Sequence, residues 1–412
     1  MKSADIGAVV PTQSAGRLSR LARCVALPSA MMLFASIVGC SSTDGGATDT
    51  TSTLSSLAPG QLIGSPSVFQ GYSAVDSLAA KSSTIRYRST SGIDGSPTEV
   101  SGVMFVPEGE PPAGGWPIVS IGHSTSGTAS RCAPSANMGL LGNLPSIIPF
   151  LAAGYLVVMS DYEGLGTPGR HPYLEPVTAG YNIIDAVRAA REAEPAASDT
   201  WLGYGVSQGG QAVWSANELS ENYGSGLRLL GSISVAPATD LTPFVDAMVD
   251  GTLTEEQITV LPLLLDGVVV AHPDVDPDDY LHGVLEDRAD VYDACIGEKA
   301  GLQAKIAESV TPDDYRPVDD AAAERLRDAL ADFSLPGVRA PQPMLVAYGD
   351  RDELIVPSWT EAAVRQGCEL GDVIDLVVAP GQGHGILNIG LETVDWVDGR
   401  IAGSPPSTTC AP

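Results

Sequence analysis

A short motif around Ser207 carries the residue types that a serine nucleophile needs. Residues 205–209 read Gly-Val-Ser-Gln-Gly, which fits the pattern G-x-S-x-G. An apolar run precedes the motif and helical spacing follows it, so the sequence predicts a strand, a sharp turn and then a helix. The turn would lift the Ser207 hydroxyl to the carboxyl edge of a sheet, with glycine on either side because the two backbones nearly touch there. Ser207 is therefore the predicted nucleophile of an acyl-transfer reaction.

Five histidines are available to activate that hydroxyl, since serine is a poor nucleophile without a base. The predicted turn resembles the nucleophile elbow of α/β-hydrolases, in which an acid and then a histidine follow the serine along the chain. His384 follows the last predicted strand within the glycine-rich run 381–385, so its imidazole is able to reach over the sheet. His384 is the predicted base. The other four histidines either precede the serine or fall in a separate helical region: His123, His171, His272 and His282.

The acid is expected after the penultimate core strand. There the chain reads Gly-Asp-Arg-Asp-Glu-Leu-Ile-Val-Pro over residues 349–357, which resembles the G-x-x-D…V-P loop common in this fold. That resemblance selects Asp352, whose carboxylate would orient His384 and stabilise its imidazolium form. Asp350 is the second candidate for this role and Glu353 is the third.

An oxyanion hole needs two backbone N–H donors. The first is predicted to be Gln208, which directly follows the nucleophile, and the second should come from the loop after an early strand. Residues 121–127, Ile-Gly-His-Ser-Thr-Ser-Gly, occupy that place. Ser126 is the preferred donor in this loop and Thr125 is the second choice. The alternative is that the loop only shapes the pocket.

Strands and helices must alternate to bring these residues to one edge of a sheet. Residues 84–89 and 99–106 alternate like a hairpin around the turn Asp94-Gly95. Buried strands are predicted over 116–121, 155–160, 200–204, 232–235, 343–348 and 373–378, and helices over 179–194, from 208 and from near Gly385. This order predicts an α/β fold, with a mostly parallel sheet that helices cover on both faces.

The alternation breaks between about residues 240 and 338. A stretch of this length is too long for a loop between two core strands, and its spacing is helical. The sequence therefore predicts a helical cap over 240–338, inserted into a core formed by 61–239 and 339–412. Its apolar runs at 263–265 and 268–270 suit either acyl-chain binding or packing within the cap.

The N-terminal segment has the pattern of an export signal. Basic residues are followed by a short apolar stretch, 25–38, that is too brief for a comfortable transmembrane helix. The stretch ends in Ile-Val-Gly-Cys, which resembles the bacterial lipobox, so residues 1–39 are predicted to be removed and Cys40 to carry a lipid. Residues 40–60 are rich in Ser, Thr and Gly and are predicted to tether the domain to the outer face of a bacterial membrane. The alternative is an ordinary secretion signal.

Charge and cysteine content limit the partners of the exported protein. The formal net charge of the full chain is −28, which argues against nucleic acid and anionic lipid surfaces as partners. Of six cysteines, Cys24 leaves with the signal and Cys40 is the lipid site, so four remain in an oxidising compartment. They predict two disulfides, with three pairings open. No cluster has metal-ligand spacing, so no metal is predicted.

Seven segments together resemble the secretory lipase family, which has many bacterial members. The matching pieces span the chain from about residue 60 to the C-terminus: 123–127, 132–135, 161–166, 171–173, 185–190, 207–210 and 271–274. In the first piece the family commonly has His-Gly-Thr-Thr-Gly, and this chain differs at Ser124 and Ser126. The resemblance implies a carboxylic-ester hydrolase with a helical cap, no cofactor, and a small-molecule or lipid ester as substrate. It also implies the disulfides Cys132–Cys295 and Cys368–Cys410.

These features predict a lipase or esterase that acts through an acyl-enzyme on Ser207. Two alternatives stand beside this interpretation. One is an acyltransferase that uses the same triad. The other is a surface-binding lipoprotein that has kept the fold without the activity.

Overall fold

The computed structural model describes residues 54–410 except 72 and 386. The predicted signal peptide, the lipid site at Cys40 and most of the predicted tether lie outside the described residues. Within residues 54–410, with those two gaps, no helix is long and apolar enough to cross a membrane.

Nine strands of the described chain form one sheet. They are β1 (Ser67–Val68), β2 (Ala79–Thr90), β3 (Pro97–Pro107), β4 (Trp116–Gly122), β5 (Leu156–Ser160), β6 (Ala197–Val206), β7 (Arg228–Val235), β8 (Met344–Gly349) and β9 (Ile374–Ala379). Their order across the sheet is β1-β2-β3-β5-β4-β6-β7-β8-β9. Strands β4 to β9 pair in parallel, and β1 to β3 extend the sheet beside β5 through antiparallel pairs. The predicted fold class is confirmed.

Twelve α-helices accompany these strands in the part of the chain that the structure describes. They are α1 (Ser73–Asp76), α2 (Leu144–Ala152), α3 (Pro176–Ala193), α4 (Gln208–Tyr223), α5 (Thr242–Asp250), α6 (Glu255–Ala271), α7 (Gly283–Asp287), α8 (Ala289–Tyr292), α9 (Ala300–Ala307), α10 (Asp320–Asp332), α11 (Pro357–Leu370) and α12 (Gly390–Ile401). Helices α3, α4 and α11 pack on one face of the sheet, and α2 and α12 pack on the other.

The central strands are apolar at successive positions because both faces of the sheet are covered. In β4, Ile118 packs against the helices on one face and Val119 packs against those on the other. All five residues of β5 are buried. At the antiparallel end the predicted hairpin forms, with Thr84 opposite Val103 and Ser89 opposite Thr98. The sheet therefore gives the core a rigid edge at the carboxyl ends of β4 to β9.

Between β7 and β8 the chain leaves the sheet and forms helices α5 to α10, which we call the insertion (residues 240–338). The insertion has an apolar cluster of its own. Its longest helix, α6, begins with a capping box, in which Thr254 and Gln257 each accept a hydrogen bond from the backbone N–H of the other. Leu264 and Val268 of this helix are fully buried within the cluster. Much of the apolar run in the sequence therefore serves packing of the insertion.

The last helix begins later than the sequence predicts, and the expectation of a helix from near Gly385 is wrong. Helix α12 begins at Gly390. Gly385 has a φ of +120°, which lies outside the right-handed helical region. The side chain of Gln382 accepts a hydrogen bond from the Asn388 N–H, which closes the stretch between them as a loop. His384 consequently lies in a loop and not at a helix N-terminus.

Candidate active site

Ser207 occupies a strained turn between β6 and α4. Its backbone has φ +58° and ψ −119°, a conformation that L-residues rarely adopt. A Cβ atom on Gly205 would lie 2.0 Å from the carbonyl oxygen of Gly209, and a Cβ on Gly209 would lie 1.9 Å from the carbonyl oxygen of Gly122. Strand and helix therefore approach so closely that only glycine fits at either side of the serine. The Ser207 N–H donates to the Val235 carbonyl in β7, 2.8 Å away, which holds the turn against the sheet.

The loops after β8 and β9 bring an acid and a histidine to the same serine. The distance from Ser207 Oγ to His384 Nε2 is 2.8 Å, and the distance from His384 Nδ1 to Asp352 Oδ2 is also 2.8 Å. Because a carboxylate only accepts, Nδ1 carries the proton and donates to Asp352, and Nε2 is free to accept from the Ser207 hydroxyl. This arrangement is able to remove the serine proton and to stabilise the imidazolium that results.

The partners of the neighbouring acids differ from those of Asp352. The other oxygen of Asp352 accepts from the backbone N–H groups of Leu354, at 3.0 Å, and Ile355, at 2.8 Å, so both of its oxygens are engaged. The carboxylate of Asp350 accepts from the Gly381 N–H instead. Among the three acids that the sequence offered, the structure brings Asp352 to His384.

The two loops that carry Asp352 and His384 are joined through their backbones. The Arg351 N–H donates to the Gln382 carbonyl at 2.9 Å. A Cβ on Gly349, where β8 ends, would lie 2.2 Å from that same carbonyl oxygen, so glycine is required for the loops to meet. The short distance between acid and histidine is thus set by backbone contacts between neighbouring parallel strands.

The residues predicted to supply the two backbone donors lie beside Ser207 on different elements. The Gln208 N–H belongs to the first turn of α4, where no preceding helical carbonyl can accept it. In the loop after β4, Thr125 borders the cavity beside Ser207, whereas Ser126 does not. Ser126 is buried, and its carbonyl accepts from the Ile296 N–H of the insertion at 2.9 Å. This placement favours Thr125, the second choice from the sequence, over Ser126 as the second donor.

Two buried side chains for which the sequence analysis assigned no role contact these donor residues. The Nε2 atom of His171 lies 2.9 Å from the amide nitrogen of Gln208, and the Tyr173 hydroxyl lies 2.7 Å from Oγ1 of Thr125. Burial lowers the pKa of His171 to about 3 and raises the pKa of Tyr173 to about 12, so both side chains are neutral near pH 7. The motif His-Pro-Tyr was visible in the sequence, but its proximity to the turn arises only in the fold.

A buried pair fixes the start of the loop after β4. The imidazole of His123 lies between two carbonyl oxygens, with Nδ1 2.7 Å from Ser124 and Nε2 3.1 Å from Asp161. Burial lowers the pKa of His123 and raises the pKa of Asp161. The Asp161 carboxylate accepts from the Ser135 N–H at 2.8 Å and from the Ser101 hydroxyl at 2.6 Å. These contacts attach the loop to the end of β5.

A cavity of about 240 Å³ opens beside Ser207 and His384. Its far walls come from α6, α9 and the loops around Cys295 and Asp352, and they consist mainly of apolar side chains: Thr259, Val260, Leu263, Ala294, Ile296, Gln303 and Leu354. Part of the apolar run of α6 therefore faces this space, in addition to the part that packs the insertion. An apolar cavity beside the predicted nucleophile suits the acyl chain of an ester.

Both disulfides implied by the family resemblance are present. Cys132 is bonded to Cys295 and joins the region after β4 to the insertion, beside the cavity wall. Cys368 is bonded to Cys410 and ties the C-terminal segment to α11. Among the described residues, no group of histidine, cysteine and acidic side chains has the arrangement of a metal site.

Solved structures with the same fold include two esterolytic enzymes. Lipase A of Candida antarctica in its closed state superposes with a TM-score of 0.71 at 18% sequence identity, covering 87% of this chain and 86% of the lipase. The rice cell wall degrading esterase LipA of Xanthomonas oryzae superposes with a TM-score of 0.63 at 20% identity, covering 79% of this chain and 92% of the esterase. At these identities the likeness establishes the α/β-hydrolase fold.

Sequence comparison identifies the family. A secreted triacylglycerol lipase of Malassezia furfur is 25% identical over 173 residues, which cover 39% of this chain and 31% of that lipase. The chain thus spans about a third of the length of this relative. The model of the secretory lipase family matches residues 141–409, which is more than half of the chain and includes Ser207, Asp352 and His384. The chain therefore belongs to the secretory lipase family.

Proposed function

We propose that this protein hydrolyses carboxylic esters through an acyl-enzyme on Ser207. The single observation that carries the proposal is the continuous set of contacts from Ser207 Oγ to His384 and from His384 to Asp352, each 2.8 Å long. Membership of the secretory lipase family supports the same reaction. Together they favour acyl transfer to water over a binding role, because a binding protein has no need of a base oriented on a serine.

The proposed reaction has two steps of the same form. His384 takes the proton of Ser207 as the serine oxygen adds to the ester carbonyl carbon, and the imidazolium then protonates the leaving alcohol. Water repeats the sequence: His384 takes its proton, hydroxide adds to the acyl carbon, and Ser207 leaves with the proton returned. In both steps the carbonyl oxygen gains negative charge, which the N–H groups of Gln208 and Thr125 are proposed to stabilise.

A substitution of the nucleophile tests the assignment. Ser207→Ala should lower kcat for a short p-nitrophenyl ester by at least about 10⁴-fold, because the remaining groups cannot form the acyl-enzyme. Circular dichroism and the melting temperature should stay close to those of the wild type, since alanine is smaller than serine. A folded Ser207→Ala variant that keeps its activity would sink the proposal. Labelling of the wild type with a fluorophosphonate separates catalysis from a purely binding function, and products formed with an added alcohol separate hydrolysis from acyl transfer.

We propose that the insertion acts as a cap and that its cavity binds the acyl group of the substrate. Val260 and Leu263 of α6 line the same cavity as Ser207. Val260→Phe should reduce kcat/KM for an octanoyl ester at least tenfold more than for an acetyl ester, because the larger ring fills space that only the longer chain needs. Val249→Phe is the matched control, since Val249 is exposed on α5 and does not border the cavity. Equal losses on both esters would argue that the acyl chain lies elsewhere.

We propose further that the protein is exported and attached to a membrane through a lipid on Cys40. This rests on the basic and apolar pattern of residues 1–39 and on the Ile-Val-Gly-Cys sequence that ends it. In a bacterial host, the wild type should incorporate labelled palmitate and fractionate with membranes, whereas Cys40→Ala should do neither. A wild-type protein recovered without lipid in the medium would favour ordinary secretion.

A further inference from the structure

We infer that the buried segment His171-Pro172-Tyr173 is a positioning element that sets the distance between the two halves of the oxyanion hole. His171 orients Gln208 at the start of α4, and Tyr173 orients Thr125 in the loop after β4. The inference rests on the proposed function, since it concerns the same oxyanion hole. Neither His171 nor Tyr173 is a catalytic residue in this scheme, because each acts through a neighbour.

The contact between His171 and Gln208 has a defined direction. The Nδ1 atom of His171 lies 2.8 Å from the carbonyl oxygen of Glu163, so in the neutral ring this nitrogen carries the proton and donates. The lone pair is then on Nε2, which accepts from the amide of Gln208 at 2.9 Å. Both side chains are almost completely buried. The imidazole thus joins the first residue of α4 to the loop that follows β5.

Tyr173 makes the corresponding contact with the other donor. Its hydroxyl and that of Thr125 are 2.7 Å apart, and Tyr173 is buried in the apolar cluster of the insertion. A Cβ on Gly267 of α6 would lie 2.3 Å from the Tyr173 carbonyl oxygen, so helix and segment are in direct contact. The position of Thr125 is therefore linked through Tyr173 to the insertion, which lines part of the cavity.

The segment itself is anchored at both ends. Before it, a Cβ on Gly164 would lie 2.4 Å from the His171 nitrogen, and Gly164 has a φ of +81°, so a glycine is needed there for close approach. After it, Leu174 is a buried leucine with a φ of +64°. Glu175 follows and accepts from the first backbone N–H groups of α3. A strained residue between two fixed points indicates that the position of Tyr173 is imposed by its surroundings.

Because His171 and Tyr173 belong to one segment, their contacts explain how two donors from different elements keep a fixed relative position. Gln208 is placed by α4 and Thr125 by the loop after β4, and no hydrogen bond joins the two among the described residues. An oxyanion hole works only if both N–H groups are held in place before the charge develops. Loss of either side-chain contact should therefore weaken stabilisation of the transition state more than binding of the substrate.

The first experiment removes the contact between Tyr173 and Thr125 from each side. Tyr173→Phe and Thr125→Val each delete one hydroxyl with little change of shape. We expect kcat to fall about tenfold or more in each variant, with KM within about twofold, and the double variant to be no worse than the poorer single variant. Tyr280→Phe is the matched control, because Tyr280 is a buried tyrosine in the same apolar cluster as Tyr173 and its hydroxyl donates to the Ala322 carbonyl at 2.8 Å.

The second experiment treats His171 in the same way. His171→Phe retains an aromatic ring but has no acceptor, so kcat should fall about tenfold or more. His171→Gln places an amide oxygen near the position of Nε2 and should recover most of that loss. Affinity for a trifluoromethyl ketone, which forms an oxyanion when Ser207 adds to it, should fall in parallel with kcat across all these variants. A merely structural role would lower the melting temperature without this parallel.

The outcomes separate this inference from the proposed function. If the wild type neither hydrolyses esters nor reacts with a fluorophosphonate, the proposed function fails and the inference fails with it. If the wild type is active and Tyr173→Phe, Thr125→Val and His171→Phe match Tyr280→Phe in kcat and in ketone affinity, the inference alone is overturned. A rise in KM with kcat unchanged would also overturn the inference, because that pattern indicates a direct contact with the substrate.

Discussion

Two carboxylates only two positions apart in the loop after β8 have different environments. Asp352 is buried and engages His384 with one oxygen and two backbone N–H groups with the other. Asp350 is exposed and accepts from Gly381, at the turn that leads to His384. One acid therefore contacts His384 directly, whereas the other supports the loop in which His384 lies.

Substitution of these two acids should separate the roles. Asp352→Asn should reduce kcat by about 10³- to 10⁴-fold, because an amide can donate to Nδ1 and so favour the wrong imidazole tautomer. Asp350→Asn should stay within about tenfold of the wild type, since it retains an oxygen that can accept from Gly381. Steady-state kinetics on one ester decides the matter. The reverse order of effects would transfer the acid role to Asp350.

At the scale of elements, the site depends on close approaches that only glycine permits. Gly205 allows β6 to meet α4, Gly209 allows α4 to meet the end of β4, and Gly349 allows the loops after β8 and β9 to meet. Each of these glycines lies between two backbone segments, so a side chain there could not be accommodated by rotation of a neighbour. The elbow and the pair of loops are both positioned by contacts between backbones.

Alanine at two glycines tests this directly. Gly209→Ala should lower the free energy of unfolding by about 2–4 kcal/mol and abolish activity, because its Cβ would lie 1.9 Å from the Gly122 carbonyl. Gly301→Ala in α9 is the control, as no atom lies within 4 Å of its Cβ position. It should raise stability by about 0.5–1 kcal/mol through helix propensity. Urea unfolding measures both, and an active, stable Gly209→Ala variant would contradict the elbow geometry.

At the scale of the whole molecule, burial of ionisable groups makes stability depend on pH. Desolvation raises the pKa of Glu163 and of Glu218 to about 7 each. A carboxyl group whose pKa is raised by folding contributes stability below its unfolded pKa and loses that contribution as pH rises through the folded value. The buried His171 has the opposite effect on stability, because folding lowers its pKa to about 3. It lowers the free energy of unfolding as pH falls below the unfolded pKa of about 6.5.

Stability should consequently fall as pH rises from 6.5 to 8, because both glutamates lose their protons in the folded state over this interval, whereas the smaller opposing gain from His171 is confined to its lower end. The expected loss is on the order of 1 kcal/mol for each buried glutamate. Urea midpoints at the two pH values measure it. Glu163→Gln, which carries no charge at either pH, should lose less stability over this interval, whereas Glu108→Gln on an exposed loop should behave as the wild type. An equal loss of stability between pH 6.5 and 8 in all three proteins would show that burial does not raise the pKa of Glu163.

The sequence by itself determined the order of the elements and the three side chains of the proposed triad. The motif around Ser207, the glycine-rich run around His384 and the loop around Asp352 are local patterns, and each follows a strand whose apolar residues are continuous because both faces of the sheet are covered. Parallel strands end at the same edge of a sheet, so these local patterns were sufficient to predict that the three side chains meet.

The tertiary structure alone decided which residues support them. Thr125 borders the cavity and Ser126 does not, which the sequence could not show because an irregular loop has no period from which the direction of each residue can be read. The contacts of His171 with Gln208 and of Tyr173 with Thr125 join positions 37 and 48 residues apart, so no local spacing in the sequence predicts them. The apolar run of α6 lies partly against the cavity and partly in the apolar cluster of the insertion. A helix presents several faces at once, and only packing determines what each face meets.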